Sequence, residues 1–311
     1  MQRDSVRLAV RPAENSRFWR WIDKNKAGYL FILPALLIYA IFFIKPFITS
    51  IYYTLTRWNG YDPVKKFVGL ENYVHLFHDP MVWLSLSHNL IWIAIGTLAP
   101  IVIGLPLALL LTRVRHGRLF FQTAYFLPYV LSGVLVGVIW GWIYNPIFGL
   151  LNYVLNSIGL SALARGWLGD PHLALYAVLV AAVWGYFGFC VVIFMAGLQN
   201  INYDLIEAAK IDGANALQQF VYVIIPQLRN VLNMIIVYNL IGGFNVFDIV
   251  RIMTVGGPAN HTEMIATYTF TTSFTQNNIG YGTTLSMVMT VLSLIVSYFY
   301  ITLRDRQAVD E

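Results

Sequence analysis

An all-α fold crossing a membrane six times is predicted for this chain, on three observations. Hydrophobic residues make up 58% of the 311 positions and charged residues only 11%, a composition unlike that of soluble domains. The apolar residues gather in continuous runs, each able to span a hydrocarbon core of about 30 Å as a helix of roughly 20 residues. The runs do not alternate apolar with polar as barrel strands do, and a helix satisfies its own backbone hydrogen bonds in lipid.

The first run, 29–49, contains Pro34 and Pro46, and the second, 90–111, contains Pro100 and Pro106. Kinks are expected there, with neighbouring helices or side chains satisfying the freed carbonyls. The third run is 120–143. The fourth, 173–198, holds Cys190, the chain's single cysteine, so no intrachain disulfide forms. The fifth and sixth runs are 231–249 and 284–301. The first run is too long for a cleaved signal and lacks a small-residue cleavage site after it, so it is expected to remain as a span.

Orientation follows from the basic residues. With a cytoplasmic amino terminus, 14 of the 20 Lys and Arg residues fall in cytoplasmic segments, as the positive-inside rule requires. Both termini are then cytoplasmic. Residues 1–27 form a basic leading segment, 28–303 the membrane domain, 200–229 a cytoplasmic loop within it and 304–311 a tail. The basic residues sit beside membrane boundaries, where they meet anionic lipid headgroups. This argues against nucleic acid as a partner.

The loop 200–229 carries helical signals of its own. Asp204 followed by Glu207 suggests an amino-terminal cap. Ala208 and Ala209 leave one face small, and Gly213 can take the left-handed conformation that ends a helix. Leu217, Phe220, Val221 and Ile224 recur at helical spacing and lead to Pro226, predicting a second segment packed along the membrane side. A plain helix-turn-helix connection accounts for these features. So does a helix that enters a groove on a soluble partner and transmits rigid-body motion.

Glu207, Ala208 and Ala209, with Asp212, Gly213 and Ala214 and the closing Val223, Ile225 and Pro226, resemble the signature loop of binding-protein-dependent ABC importer permeases. The resemblance extends through Phe67 to Tyr73, Phe126-Leu127-Pro128, Ala196 to Gln199 and Gly256 to Asn260. More narrowly, the chain is similar to carbohydrate-importer permeases of the maltose and glycerol-phosphate type. Val223 and Ile225 stand where the family usually has Ile and Leu. The resemblance implies that Glu207, Ala208, Ala209, Asp212 and Gly213 belong to a coupling helix docking on a separate ATPase. It implies these partners: two ATPase subunits, a second homologous permease and a soluble extracytoplasmic substrate-binding protein met by the outer loops. The cargo would be a carbohydrate and the location the cytoplasmic (inner) membrane of a bacterium or archaeon. No Gly-x-x-x-x-Gly-Lys-Ser/Thr sequence occurs in the 311 residues, so ATP and magnesium would be held by the partner, with no cofactor in this chain and no enzyme activity of its own.

Polar residues within spans are costly in lipid and either mark a pathway or pair helices. The pathway candidates are Asn245 and Asp248 on the fifth run, Tyr186 and Phe189 on the fourth, and Ser286 and Thr290 on the sixth. Interhelical hydrogen bonding is the plainer role for Ser286, Thr290 and Asn239, and packing beside Trp184 for Tyr186 and Phe189. Asp248 is either a solute ligand or the ion-pair partner of Arg251. For Asn245, the resemblance implies a place in the sugar site. Residues 58–83, with Tyr73, Phe77 and Trp83, suit a helix at the headgroup level.

Other classes are disfavoured. Gly280-Tyr281-Gly282 resembles a potassium-filter core, but Asn277-Asn278-Ile279 precedes it and the sixth run follows at once. An ion-coupled carrier would use intramembrane carboxylates and repeated halves. Asp248 is the one carboxylate in or beside a run, and no repeat is evident. The six His residues are scattered without metal-like spacing.

Overall fold

The computed structural model describes residue 28 and residues 30–309; the basic leading segment 1–27 and the end of the tail lie outside them. The chain divides into a first unit, Met1–Tyr52, and a second, Tyr53–Glu311. Among the described residues, four helices are long and apolar enough to cross a bilayer: α1 (Leu30–Thr54), α3 (Pro80–Arg113), α7 (Ala174–Leu198) and α13 (Ile279–Val309), the last apolar through Arg304. Two bent pairs reach that standard only jointly: α4 (Arg118–Val130) with α5 (Gly133–Ile143), and α9 (Ala216–Gln227) with α10 (Arg229–Phe244). The described strands are a two-stranded antiparallel hairpin, β1 (Thr56–Arg57) and β2 (Lys66–Phe67), so the fold is all-α as expected.

Pro46 and Pro226 follow widened turns, whereas α3 runs on as α-helix through Pro100 and Pro106. In α1 the turn Ala40–Ile44 is a π turn, closed by Lys45 N–H on the Ala40 carbonyl, and Pro46 follows two residues later. In α9 the turn Phe220–Ile224 is widened in the same way before Pro226. A proline ring collides with the carbonyl four residues back and offers no N–H, and the wider turn absorbs both faults.

The apolar run 120–143 is two helices at 98°, because Leu131 is extended and Ser132 caps α5, accepting from Leu135 N–H. Hydropathy alone does not register a cap inside an apolar window. The run 231–249 is also interrupted. Helix α10 ends at Phe244, Asn245 and Val246 lie in a break, and Asp248 opens a separate short helix, α11 (Asp248–Met253). The second span begins ten residues before the apolar run, because Asp79 caps α3 by accepting from Met81 N–H and Pro80 occupies its first position.

Within the second unit, α3 and α7 pack so closely that a Cβ on Gly104 would lie 3.0 Å from Cys190 Cβ and 3.3 Å from Val191 N. Helix α4 approaches α7 more closely still. A Cβ on Gly188 would fall 1.7 Å from the Tyr125 carbonyl oxygen, so backbone meets backbone there. Leu105, Leu111, Phe194, Leu198, Leu228 and Ile235 form the adjoining core.

Elsewhere in the second unit, Asn72 of α2 (Glu71–His78) donates to the carbonyls of Thr54 and Thr56 at 2.8 and 2.9 Å, and Tyr73 donates to Thr54. The segment expected as an interfacial helix is therefore a hairpin followed by α2. The Asp79 carboxylate accepts from Tyr268 of α12 (Ile265–Phe270) at 2.6 Å and from Tyr281 of α13 at 2.7 Å. Gly280-Tyr281-Gly282 is thus helical, and the Asp79 carboxylate, through Tyr268 and Tyr281, fastens α12 and α13 to the start of α3.

Two outcomes follow. Gly188→Val is expected to prevent assembly or lower the detergent-solubilised melting temperature sharply, an overpacking cost of about 1–3 kcal/mol or more. Gly141→Ala, with nothing within 4 Å of the added carbon, leaves it unchanged; equal melting of the two variants would refute the close approach. Burial disfavours the Asp79 anion, but hydrogen bonds from Tyr268, Tyr281 and Met81 outweigh it and hold the carboxyl below its ordinary value of 3.8. Its stabilising contribution is complete above that value and lost as pH falls through the depressed one. Tyr268→Phe combined with Tyr281→Phe should move the onset of acid unfolding, followed by light scattering, to higher pH.

Candidate translocation cavity and coupling loop

The loop 200–229 is a folded element. Helix α8 (Tyr203–Ile211) is capped by Asn202, whose side chain accepts from Asp204 N–H at 2.9 Å. The cap is thus two residues earlier than expected, and Asp204 lies in the first turn near the positive helix end. Asn202 N–H also donates to Gln227 Oε1 at 2.7 Å, pinning the start of the loop to its end. Gly213 has φ +84° and ends the helix, with Ala214 N–H returning to the Ala209 carbonyl. Asn215 and Gln218 then cap α9 reciprocally, at 2.9 and 2.8 Å.

Glu207, Ala208, Asp212 and Gly213 are exposed and Ala209 is partly so. A Cβ on Gly213 would meet nothing within 4 Å, so glycine is required there by backbone conformation and not by a neighbour in this chain. Ile211 is 86% exposed, and Tyr203 and Leu205 are also open. On the inward side, Ile206, Phe220 and Ile224 pack on the core, whereas Leu217 and Val221 point outward. Half of the expected apolar stripe therefore faces away.

In the membrane domain the breaks open two adjoining cavities. One, of about 330 Å³, is lined by Trp92, Tyr129, Gly133, Asn245 and Asp248 among others. The second, of about 180 Å³, is lined by Tyr186, Tyr238 and Asn239 and shares Trp92, Ala182 and Val246 with the first. Asn245 is exposed and donates to the Ile241 carbonyl at 3.0 Å, leaving its oxygen open. Asn239 donates to the Tyr186 hydroxyl at 3.2 Å, joining α10 to α7. Phe189 stacks on Tyr129 with ring centroids 4.7 Å apart, and Tyr186 lies parallel to Tyr238 at 6.0 Å.

The expected ion pair of Asp248 with Arg251 is not made. Arg251 lies over the Phe270 ring at 4.9 Å. Ser286 and Thr290 are exposed, line neither cavity, and Thr290 bonds back to the Ser286 carbonyl at 2.9 Å, so within this chain they do not pair helices. Tyr129, Tyr238 and Trp92 are cavity residues that sequence reasoning missed. The signal lay in adjacency: Tyr129 follows Phe126-Leu127-Pro128, and Tyr238 precedes Asn239.

The structure thus combines cavities that carry a few polar side chains with a separately capped, exposed loop. Residues 101–307 match the model for the inner membrane component of binding-protein-dependent transport systems. The chain belongs to this family. The permease is 36% identical over 279 residues to the probable ABC transporter permease protein YurN of Bacillus subtilis, covering 89% of this chain and 95% of that one. It is 32% identical to the trehalose/maltose transport system permease protein MalF of Thermococcus litoralis, covering 89% and 92%. The permease shares its fold, at a TM-score of 0.77 and 22% identity over 91% of this chain and 96% of the other, with a chain of a bacterial alginate ABC transporter solved with an alginate-bound periplasmic protein.

Tyr186→Phe keeps the ring and removes the bond to Asn239. It is expected to destabilise this permease by about 0.6–2 kcal/mol, read as a lower melting temperature. Identical melting would show that the bond contributes nothing.

Proposed function

We propose that this permease forms half of the pathway of an ATP-driven, binding-protein-dependent carbohydrate importer, with α8 as the element that couples it to a separate ATPase. The observation that carries the reading is α8 itself: a short helix capped at both ends, with Glu207, Ala208 and Ile211 turned away from the chain and its inner side seated on the core. Such a rigid projection suits docking on a soluble partner that moves as a body. The pathway supports a sugar. Asn245 and Asp248 offer hydrogen-bonding groups beside Trp92 and Tyr129, and a relative is named for trehalose and maltose.

In this reading each bent pair is one span, giving six, with both termini and α8 on the cytoplasmic side of the inner membrane. A second homologous permease completes the cavity, a soluble binding protein delivers the sugar from outside, and two ATPase subunits hold ATP and magnesium. Tyr186 and Phe189 act as supporting walls, while Ser286 and Thr290 face away from this chain toward lipid or the second permease.

Mass spectrometry of material co-purifying with the tagged chain tests the reading. A second permease and an ATPase stimulated by a sugar-loaded binding protein are expected, and a solitary chain without ATPase would overturn it. Gly213→Val, strained at φ +84°, should cut stimulated ATPase activity about tenfold or more while the chain stays folded; full coupling in that variant would remove α8 from the role. Asn245→Ala should impair sugar-stimulated transport with assembly intact, and undiminished uptake of every sugar offered would take Asn245 off the pathway.

A further inference from the structure

We infer that the cavity selects by charge, with Asp248 admitting uncharged and amino sugars and turning away carbohydrates bearing carboxylate or phosphate groups. The inference rests on the importer reading and names the substrate class of the same pathway.

Three observations carry it. The Asp248 side chain is exposed on the wall of the 330 Å³ cavity, against Gly133 at the bend between α4 and α5, where an added Cβ would lie 3.3 Å from Asp248 Cβ. Among the described residues its carboxylate makes no hydrogen bond or ion pair, since Arg251 is held over Phe270. Neither cavity has a Lys, Arg or His in its lining, so the carboxylate is the one formal charge on these walls.

Trp92, Leu131, Phe247 and Ile249 make the surroundings apolar. A charge set in low-dielectric walls is poorly screened and projects its field into the cavity. An anionic solute would lose hydration there and meet a like charge. A carboxylate only accepts hydrogen bonds, so it is matched by sugar hydroxyls and better by an ammonium group.

The second permease would bring the opposing wall, so the test uses the assembled complex in membrane vesicles. Asn245→Cys, or Val246→Cys as a second reporter, places a thiol in the cavity. Labelling of this chain by a trimethylammonium and by a sulfonate methanethiosulfonate is followed by mass. The thiolate forms a mixed disulfide and releases methanesulfinate in both cases, so the reagents' rate ratio, divided by that for a free thiol in solution, reads the local potential. Buried Cys190, the single native cysteine, is measured in the parent as background.

The cationic reagent is expected to be favoured about tenfold or more. Asp248→Asn should bring the ratio to within about twofold of one, and Asp248→Lys should invert it, which a merely structural role would not do. A ratio near one with Asp248 present, a ratio unmoved by Asp248→Asn, or no labelling at either reporter would overturn the inference. Failure of the importer reading is separate: it would appear as the absence of an ATPase from the co-purified complex, whatever the labelling ratio.

Discussion

Every break in a helix within the membrane exposes backbone groups that lipid cannot satisfy, and this constraint organises the protein. Asn89, fully buried on α3, meets it for the break after α10. Its side chain donates to the Gly243 carbonyl at 2.7 Å, near the end of α10, and accepts from Ile265 N–H at 3.0 Å, at the start of α12. Beside it, a ring nitrogen of His88 pairs with the Glu263 carbonyl at 2.9 Å. With these partners α10 can stop at Phe244, and only because it stops there do Asn245 and Asp248 reach the cavity. At the other break, Ser132 caps α5 and Tyr129 is left facing the same space.

Close packing also joins the cavity walls to the loop. Backbone contact at Gly188 fixes α4 on α7, and a Cβ on Gly197 would come within 2.7 Å of Val231, so α7 is also tied to α10. Ile206 of α8 seats on the core that continues to Tyr186 and Phe189. A displacement of α8 therefore meets packed side chains, which shift between discrete arrangements more readily than they deform. The polar face that holds the hairpin and α2 is built differently, from hydrogen bonds of Asn72, Tyr73 and Asp79.

Much of this was legible in the chain before folding. Long apolar runs, the Glu207 to Gly213 motif and the left-handed turn at Gly213 depend on local chemistry that a sequence displays directly. The breaks were less visible. Ser132 in an apolar run reads as one tolerated polar residue, and the cap falls on Asn202 and not on Asp204 because the Asn202 side-chain oxygen is the one that reaches the Asp204 amide. For Asp248, the i, i+3 spacing to Arg251 suggested a pair, but the guanidinium found an aromatic face on another helix.

The sequence by itself determined class and family, because composition, span length and a contiguous loop motif are properties of neighbouring residues. Tertiary structure decided the cavity. Trp92, Tyr129, Tyr186 and Tyr238 come from four different helices and Asn245 from the break after α10, and their meeting depends on where helices bend and on which glycines let backbones touch. It also decided that Asp248 stands unpaired among the described residues, since the fate of a charge is set by the partners that packing brings within reach and not by the nearest opposite charge along the chain.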